Sequence, residues 1–166
     1  KVVGRPFPKF FNYEEVNRGD IPRGIPKIFK KLDGSLIIVC NYEKNLVVAT
    51  RGSFTSSQAI KAEKLLRDNK ELYNTIMSLE NQFTYLFELI GPLNRIVVTY
   101  DKDKLVLLGV KVNYNGGEHN LEYYRELWKF VEVVEDYKMV WNENSIEELR
   151  KLNTQNEEGF VLKWEN

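Results

Sequence analysis

The chain is short of cysteine, histidine and unbalanced charge, and each shortage removes a class of function. Cys40 is the only cysteine in 166 residues, so neither a disulfide framework nor a thiolate metal cluster can form within the chain. It lies in an apolar run and reads as a buried, inert thiol. The single histidine, His119, follows Asn115-Gly116-Gly117-Glu118 and reads as a loop surface residue, not a ligand. Lys plus Arg and Asp plus Glu total 24 each, so no overall field attracts a polyanion. Any nucleic-acid contact has to come from a local basic surface. No apolar run approaches membrane-spanning length and no signal-peptide pattern opens the chain. The expectation is an intracellular, cytoplasmic protein (host cytoplasm if the source is viral) with no membrane partner and no protein partner implied.

What is present is an ordinary globular composition, 43% hydrophobic and 29% charged, with length for one domain and little room for two. The chain starts at Lys1 without a methionine and reads as a fragment or trimmed domain, residues 1–166. Pro6, Pro8, Pro22 and Pro26 crowd the first 26 residues, which predicts an extended segment with few regular elements. Arg18-Gly19-Asp20 resembles an adhesion tripeptide but reads as a polar surface turn. Leu36–Cys40 and Leu46–Thr50 read as a hairpin. Gln58–Leu79 reads as the main helix, with Ile60, Leu65, Leu72, Ile76 and Leu79 near one face. Phe83–Ile90, Ile96–Tyr100 and Leu105–Val112 read as strands, with Asp101–Lys104 turning between the last two. Leu121–Val134 and Ser145–Leu152 read as helices, the latter with Ser145 and Glu148 in a capping box. Glu158–Trp164 reads as the last strand. Mixed strands and helices with short turns predict an α+β domain of mainly antiparallel sheets.

The chemistry concentrates in Lys31-Leu32-Asp33-Gly34-Ser35. A lysine two residues before an Asp-Gly turn, running into an apolar strand, can be held at the mouth of a sheet. An amine held there can attack a phosphate and carry a nucleotide covalently, once burial or nearby cations help it lose its proton. The same pentapeptide also fits a plain hairpin turn with a solvated lysine. Two carboxylates stand where strand alternation predicts apolar side chains: Glu88 on the face of Leu86 and Ile90, and Glu158 on the face of Phe160, Leu162 and Trp164. Such groups are costly unless paired or bound to a metal, and oxygen ligands completed by phosphate and water suit magnesium. Arg51, at the end of the hairpin, can return to the edge that carries Lys31 and clamp a phosphate. Lys9, among Phe10 and Phe11, is a second cation beside rings that could line a purine pocket. Alternation turns Lys30 away from the face of Lys31, which makes it an internal control.

Taken in order, these segments resemble the covalent nucleotidyltransferase superfamily of polynucleotide ligases and capping enzymes, and within it the T-even-phage tRNA-repair RNA ligase family. Lys31-Leu32-Asp33-Gly34-Ser35 is similar to the nucleophile motif, and Arg51-Gly52-Ser53-Phe54 to the second motif, where a lysine often replaces the arginine. Phe87-Glu88-Leu89-Ile90 resembles the third motif, Glu158-Gly159-Phe160-Val161 the fourth, and Lys9-Phe10-Phe11-Asn12 an upstream signature. Leu36 stands where many DNA ligases carry an arginine, which favours the RNA-ligase branch.

The resemblance implies a ligase adenylation domain with its nucleotide cleft between sheets flanked by helices. It implies Lys31 as the residue that forms lysyl-AMP from ATP, and Lys9, Phe11, Asp33, Gly34, Arg51 and Glu88 around the nucleotide. Glu158 and Glu88 would face magnesium or manganese. RNA 5′-phosphate and 3′-hydroxyl ends, those of broken tRNA among them, would be the partners to be joined. The family's further motif, two lysines flanking one residue after the fourth motif, is not supplied by this chain, where Lys163 falls too early. Nor is the C-terminal domain common in full ligases. A DNA ligase, a GTP-using capping enzyme and a non-catalytic nucleotide- or RNA-binding domain stay open as alternatives.

Overall fold

The computed structural model describes residues 2–92, 98, 100–152 and 158–164. Its elements are β1 (Lys27–Lys30), β2 (Ser35–Tyr42), β3 (Asn45–Ala49), α1 (Ser57–Asp68), α2 (Lys70–Ser78), β4 (Phe83–Ile90), β5 (Lys104–Val112), α3 (Leu121–Leu127), β6 (Glu132–Val133), α4 (Ser145–Leu152) and β7 (Phe160–Lys163). The strands form a five-stranded sheet of order β3-β2-β4-β5-β6 and a two-stranded sheet of β1 with β7. All pairings are antiparallel except β5 with β6. The expected α+β class with mainly antiparallel sheets is borne out. No helix among the described residues is long and apolar enough to cross a membrane.

Strand alternation gives the large sheet two unlike faces. On one, Ile37 and Val39 of β2, Tyr85, Phe87 and Leu89 of β4, and Leu107 and Val110 of β5 join one buried cluster with Ala62, Leu66, Leu72 and Ile76 of the helices. Burying a side chain such as Phe87 stabilises the fold by roughly 1.5–3 kcal/mol. The other face carries Leu36, Ile38, Cys40, Thr84, Leu86 and Glu88. There the N-terminal segment lies along the strands, its Arg5 N–H donating to Thr84 Oγ1 at 2.9 Å. Apart from two 3-10 turns, Tyr13–Glu15 and Arg18–Asp20, that segment is irregular, as its prolines predict.

Several boundaries differ from the sequence reading, each for a local reason. Gln58–Leu79 is two helices, broken at Asn69. Its side chain accepts the Leu72 N–H at 3.2 Å, capping α2, and donates to Phe130 O at 2.7 Å. The break resets the helical phase, so α1 buries Ala59, Ala62 and Leu66 and leaves Ile60 61% exposed. Leu121–Val134 is helical only through Leu127. Beyond Trp128 the chain turns, and Val133 joins β6 instead; β-branched valines favour that change. Ser145 is the first helical residue of α4 instead of its cap, and its Oγ accepts the Asn142 N–H at 2.7 Å. β1 has no strong sequence signal, being four residues behind Pro26. The expected strand Ile96–Tyr100 falls mostly outside the described residues.

Candidate active site

Lys31 follows directly on β1, whose partner is β7. The register Lys30↔Phe160 continues one step further, so that the Lys31 N–H donates to Gly159 O at 2.9 Å. Gly159 has a φ of +119°, a conformation open to glycine and strained for other residues. That turn sets Glu158 opposite Lys31. The Lys31 ammonium donates to Glu158 Oε1, an ion pair between residues 127 positions apart in the chain.

Glu88 completes the group from the large sheet. It sits on β4 opposite Leu36 of β2 and Val106 of β5. Burial first, then the negative charge of Glu158, pushes its carboxyl up to about 8. Lys31 pulls the other way, Asp33 adds to the rise, and a bond from the Gly34 backbone N–H offsets part of it. Lys31, Glu158 and Glu88 therefore meet in one hollow between the two sheets, each delivered by a different strand.

The Asp33-Gly34 turn is not a hairpin. It carries the chain from β1 in the small sheet to β2 in the large one. Gly34 passes so close to β4 that a Cβ there would lie 2.2 Å from Leu89 O, so no larger residue fits without movement. Asp33 is buried and faces inward. Its Oδ2 accepts the Val98 N–H at 2.6 Å, and its own N–H donates to the Tyr100 hydroxyl at 3.2 Å. Asp33 thus anchors the turn that presents Lys31.

Lys9 and Arg51 share an adjoining cleft of about 580 Å³, with Phe10, Ser35, Leu36 and Gly52 among its walls. Leu36 is the strand neighbour of Glu88, so this cationic cleft opens beside the acidic hollow. Phe11 is not part of its wall; it is exposed, with Lys9 Nζ 4.8 Å from its ring centroid, while Phe10 lines the cleft. Of the sequence-predicted residues, Lys31, Glu88 and Glu158 form one cluster, Lys9 and Arg51 a second beside it, and Asp33 and Gly34 build the turn between strands. Sequence reasoning missed Tyr100 as more than a strand residue. It supports Asp33, and its hydroxyl is raised by burial and by the neighbouring charges of Asp33, Glu88 and Glu158. No local pattern marks it, because its partner is 67 positions away.

Among the described residues no group of three or more His, Cys, Asp or Glu is arranged to hold a metal alone. Two half-buried carboxylates with mutual repulsion are instead an incomplete oxygen shell, which fits a divalent cation that keeps phosphate and water oxygens as its other ligands.

A family model described as RNA ligase matches residues 1–166. A Thermovibrio ammonificans protein bearing an RNA ligase name is 34% identical over 98% of this chain. The chain spans 43% of that relative's length. Among solved structures, a Naegleria gruberi RNA ligase variant with ATP and Mn matches with a TM-score of 0.59 at 17% identity, over 83% of this chain and 45% of that one. An archaeal ATP-dependent RNA ligase matches with a TM-score of 0.61 at 18% identity, over 83% and 39%. These last two share the fold. The ordered motifs, the strand arrangement that unites three of them and the family match over the full chain lead to one statement: this chain belongs to the RNA ligase family.

Proposed function

We propose that this domain carries out the nucleotide-transfer chemistry of an ATP-dependent RNA ligase, with Lys31 as the nucleophile. The observation that carries this reading is the meeting of Lys31, Glu158 and Glu88 in one hollow from three separate strands. An ammonium bracketed by two carboxylates, beside a cleft holding Lys9 and Arg51, provides for phosphate, metal and amine together.

In the first step the Lys31 amine, having given up a proton, attacks the α-phosphorus of ATP. A P–N bond forms, the bond from the α-phosphorus to the bridging oxygen breaks, and pyrophosphate leaves with that oxygen. In the resting chain the Glu158 carboxylate holds the Lys31 ammonium; engaging Glu158 elsewhere and bringing positive charge close to Lys31 favour loss of that proton to solvent. Lys9 and Arg51 offset phosphate charge and hold the triphosphate for in-line displacement, so positioning and electrostatics supply most of the rate. Glu88 and Glu158 would hold a divalent cation, magnesium or manganese, whose contribution when bound is to neutralise charge at the phosphates. Asp33 and Gly34 fix the turn that presents Lys31. The AMP then passes to an RNA 5′-phosphate, and attack by a 3′-hydroxyl seals the strand and releases AMP, with the ends of broken RNA, tRNA included, as substrate.

Incubation with ATP labelled at the α-phosphate, and in parallel with labelled GTP, tests the nucleotide choice. Label from ATP alone should become protein-bound and resist denaturation. Label from GTP alone would point to a capping-type enzyme, and retained ATP without a covalent adduct to a binding domain.

A further inference from the structure

A second basic cluster lies farther down the face crossed by the N-terminal segment, away from Lys31 and Glu88. Lys111 of β5 stands opposite Thr84 of β4, four residues along the strand from Glu88. Lys163 of β7 stands opposite Lys27 of β1, four residues from Lys31. At about 3.3 Å per residue, both sheets put this cluster roughly 13 Å from the hollow that holds Lys31 and Glu88.

Two lysines meet there at one carboxylate, with Arg5 near enough to act on the charge of Lys111. Glu118 accepts from Lys111 Nζ at 3.3 Å and from Lys163. Lys163 Nζ lies 5.6 Å from the centroid of the Phe7 ring, and Phe7 itself rests directly on Gly109 of β5. Arg5 lies against Gly116 and donates from Nε to Asn113 O at 2.6 Å. That bond fixes the guanidinium; among the described residues its terminal nitrogens carry no hydrogen bond. Only 12% of the Lys111 side chain is exposed. Burial, then the charge of Arg5, pulls its ammonium below the ordinary lysine value. Among the described residues, Arg5 and Lys111 together already carry more positive charge than the single carboxylate of Glu118, on side chains fixed in place. In a chain of no net charge, such a concentration is the local basic surface a polyanion needs.

We propose that Arg5, Lys111 and Lys163 form a second phosphate station, gripping the RNA backbone a few nucleotides from the end held at Lys31. This rests on the RNA-ligase reading above and adds the path of the strand. Arg5 supplies a planar fork suited to a phosphodiester, the two lysines supply point charges, and the Phe7 ring beside them offers a stacking surface. Glu118 holds the lysines in place when no strand is bound and competes with phosphate for them.

The test is titration of a 5′-phosphorylated single-stranded RNA of about a dozen nucleotides against the chain, over a series of salt concentrations. Lys111→Gln and Arg5→Gln should each weaken binding roughly fivefold or more and lower the slope of log affinity against log salt by about 0.7. Lys111→Arg should restore both. Glu118→Gln, which removes the competing carboxylate, should tighten binding. Unchanged affinity and slope in Lys111→Gln, with a lowered melting temperature, would reduce the cluster to a staple between sheet and loop and overturn the proposal. Should that variant fail to fold, Glu118→Gln decides: no tightening overturns it equally. Failure of the ligase reading is seen separately, as absence of an ATP-derived adduct in the unmodified chain, and leaves the salt slopes to judge the phosphate station.

Discussion

The two faces of β4 do different work with adjacent residues. Tyr85, Phe87 and Leu89 point into the helix-covered core and are essentially inaccessible. Thr84 and Glu88, interleaved with them, point to the face crossed by the N-terminal segment, where polar atoms find partners instead of dry contacts. The core face is apolar but for the buried Tyr85 hydroxyl, and it supplies rigidity. The other holds a carboxyl that burial, then the charge of Glu158, raises to about 8, with Lys31 offsetting part of the rise. One strand therefore couples a stiff support to a charged hollow, and substitutions on the two faces should fail in different ways.

The sharpest separation is expected at Lys31. Lys31→Ala should remove ATP-derived labelling altogether while changing stability by about 1 kcal/mol or less, since the ion pair it loses is partly solvated. A large drop in melting temperature would blur the two faces into one structural unit. On the dry side, Phe87→Ala should cost about 3–5 kcal/mol in urea unfolding through the cavity it leaves. Gly34→Ala lies between the two: a Cβ that clashes with the Leu89 carbonyl oxygen at 2.2 Å should cost about 1–3 kcal/mol of overpacking strain and also displace Lys31. Loss of labelling together with stability is the expected result, in contrast to Lys31→Ala.

Glu88 supplies a pH signature. Its carboxyl is raised from 4.5 to about 8 in the folded state, so the folded protein binds a proton that the unfolded chain has released across that interval. The group then adds nothing unfavourable at low pH and an increasing penalty as pH climbs from about 5 to about 8. Glu88→Gln lacks the penalty. Its melting temperature relative to the unmodified chain should rise over that range, and a pH-independent difference would contradict the placement of Glu88. The smallest effect belongs to Lys30→Ala, on the exposed side of β1, which should stay within about 0.5 kcal/mol and retain labelling.

Much of this arrangement was legible in the sequence because strand alternation exposes a misplaced charge: Glu88 and Glu158 both break an apolar face, and the structure brings both to Lys31. The hairpin of β2 with β3, and the span of β4, follow from local pattern as well. The elements misread are those set by distant partners. Asn69 interrupts a continuous helical pattern because Phe130 O takes its side chain. The residues after Trp128 leave the helix to lie beside β5, where the Val134 N–H reaches Leu107 O. Asp33, read as part of a nucleotide pocket, turns inward to partners 65 and 67 positions away, and no local spacing encodes such contacts. Phe10 and Phe11 are adjacent and alike in composition, so only the backbone path decides that Phe10 lines the cleft.

The most direct test of the central claim is peptide mapping by mass spectrometry after incubation of the chain with ATP and magnesium, run beside Lys31→Ala and Lys30→Ala. One added AMP is expected, on the peptide at Lys31, present in Lys30→Ala and absent in Lys31→Ala. An adduct that persists in Lys31→Ala, or that maps to Lys30 or any other side chain, would contradict it.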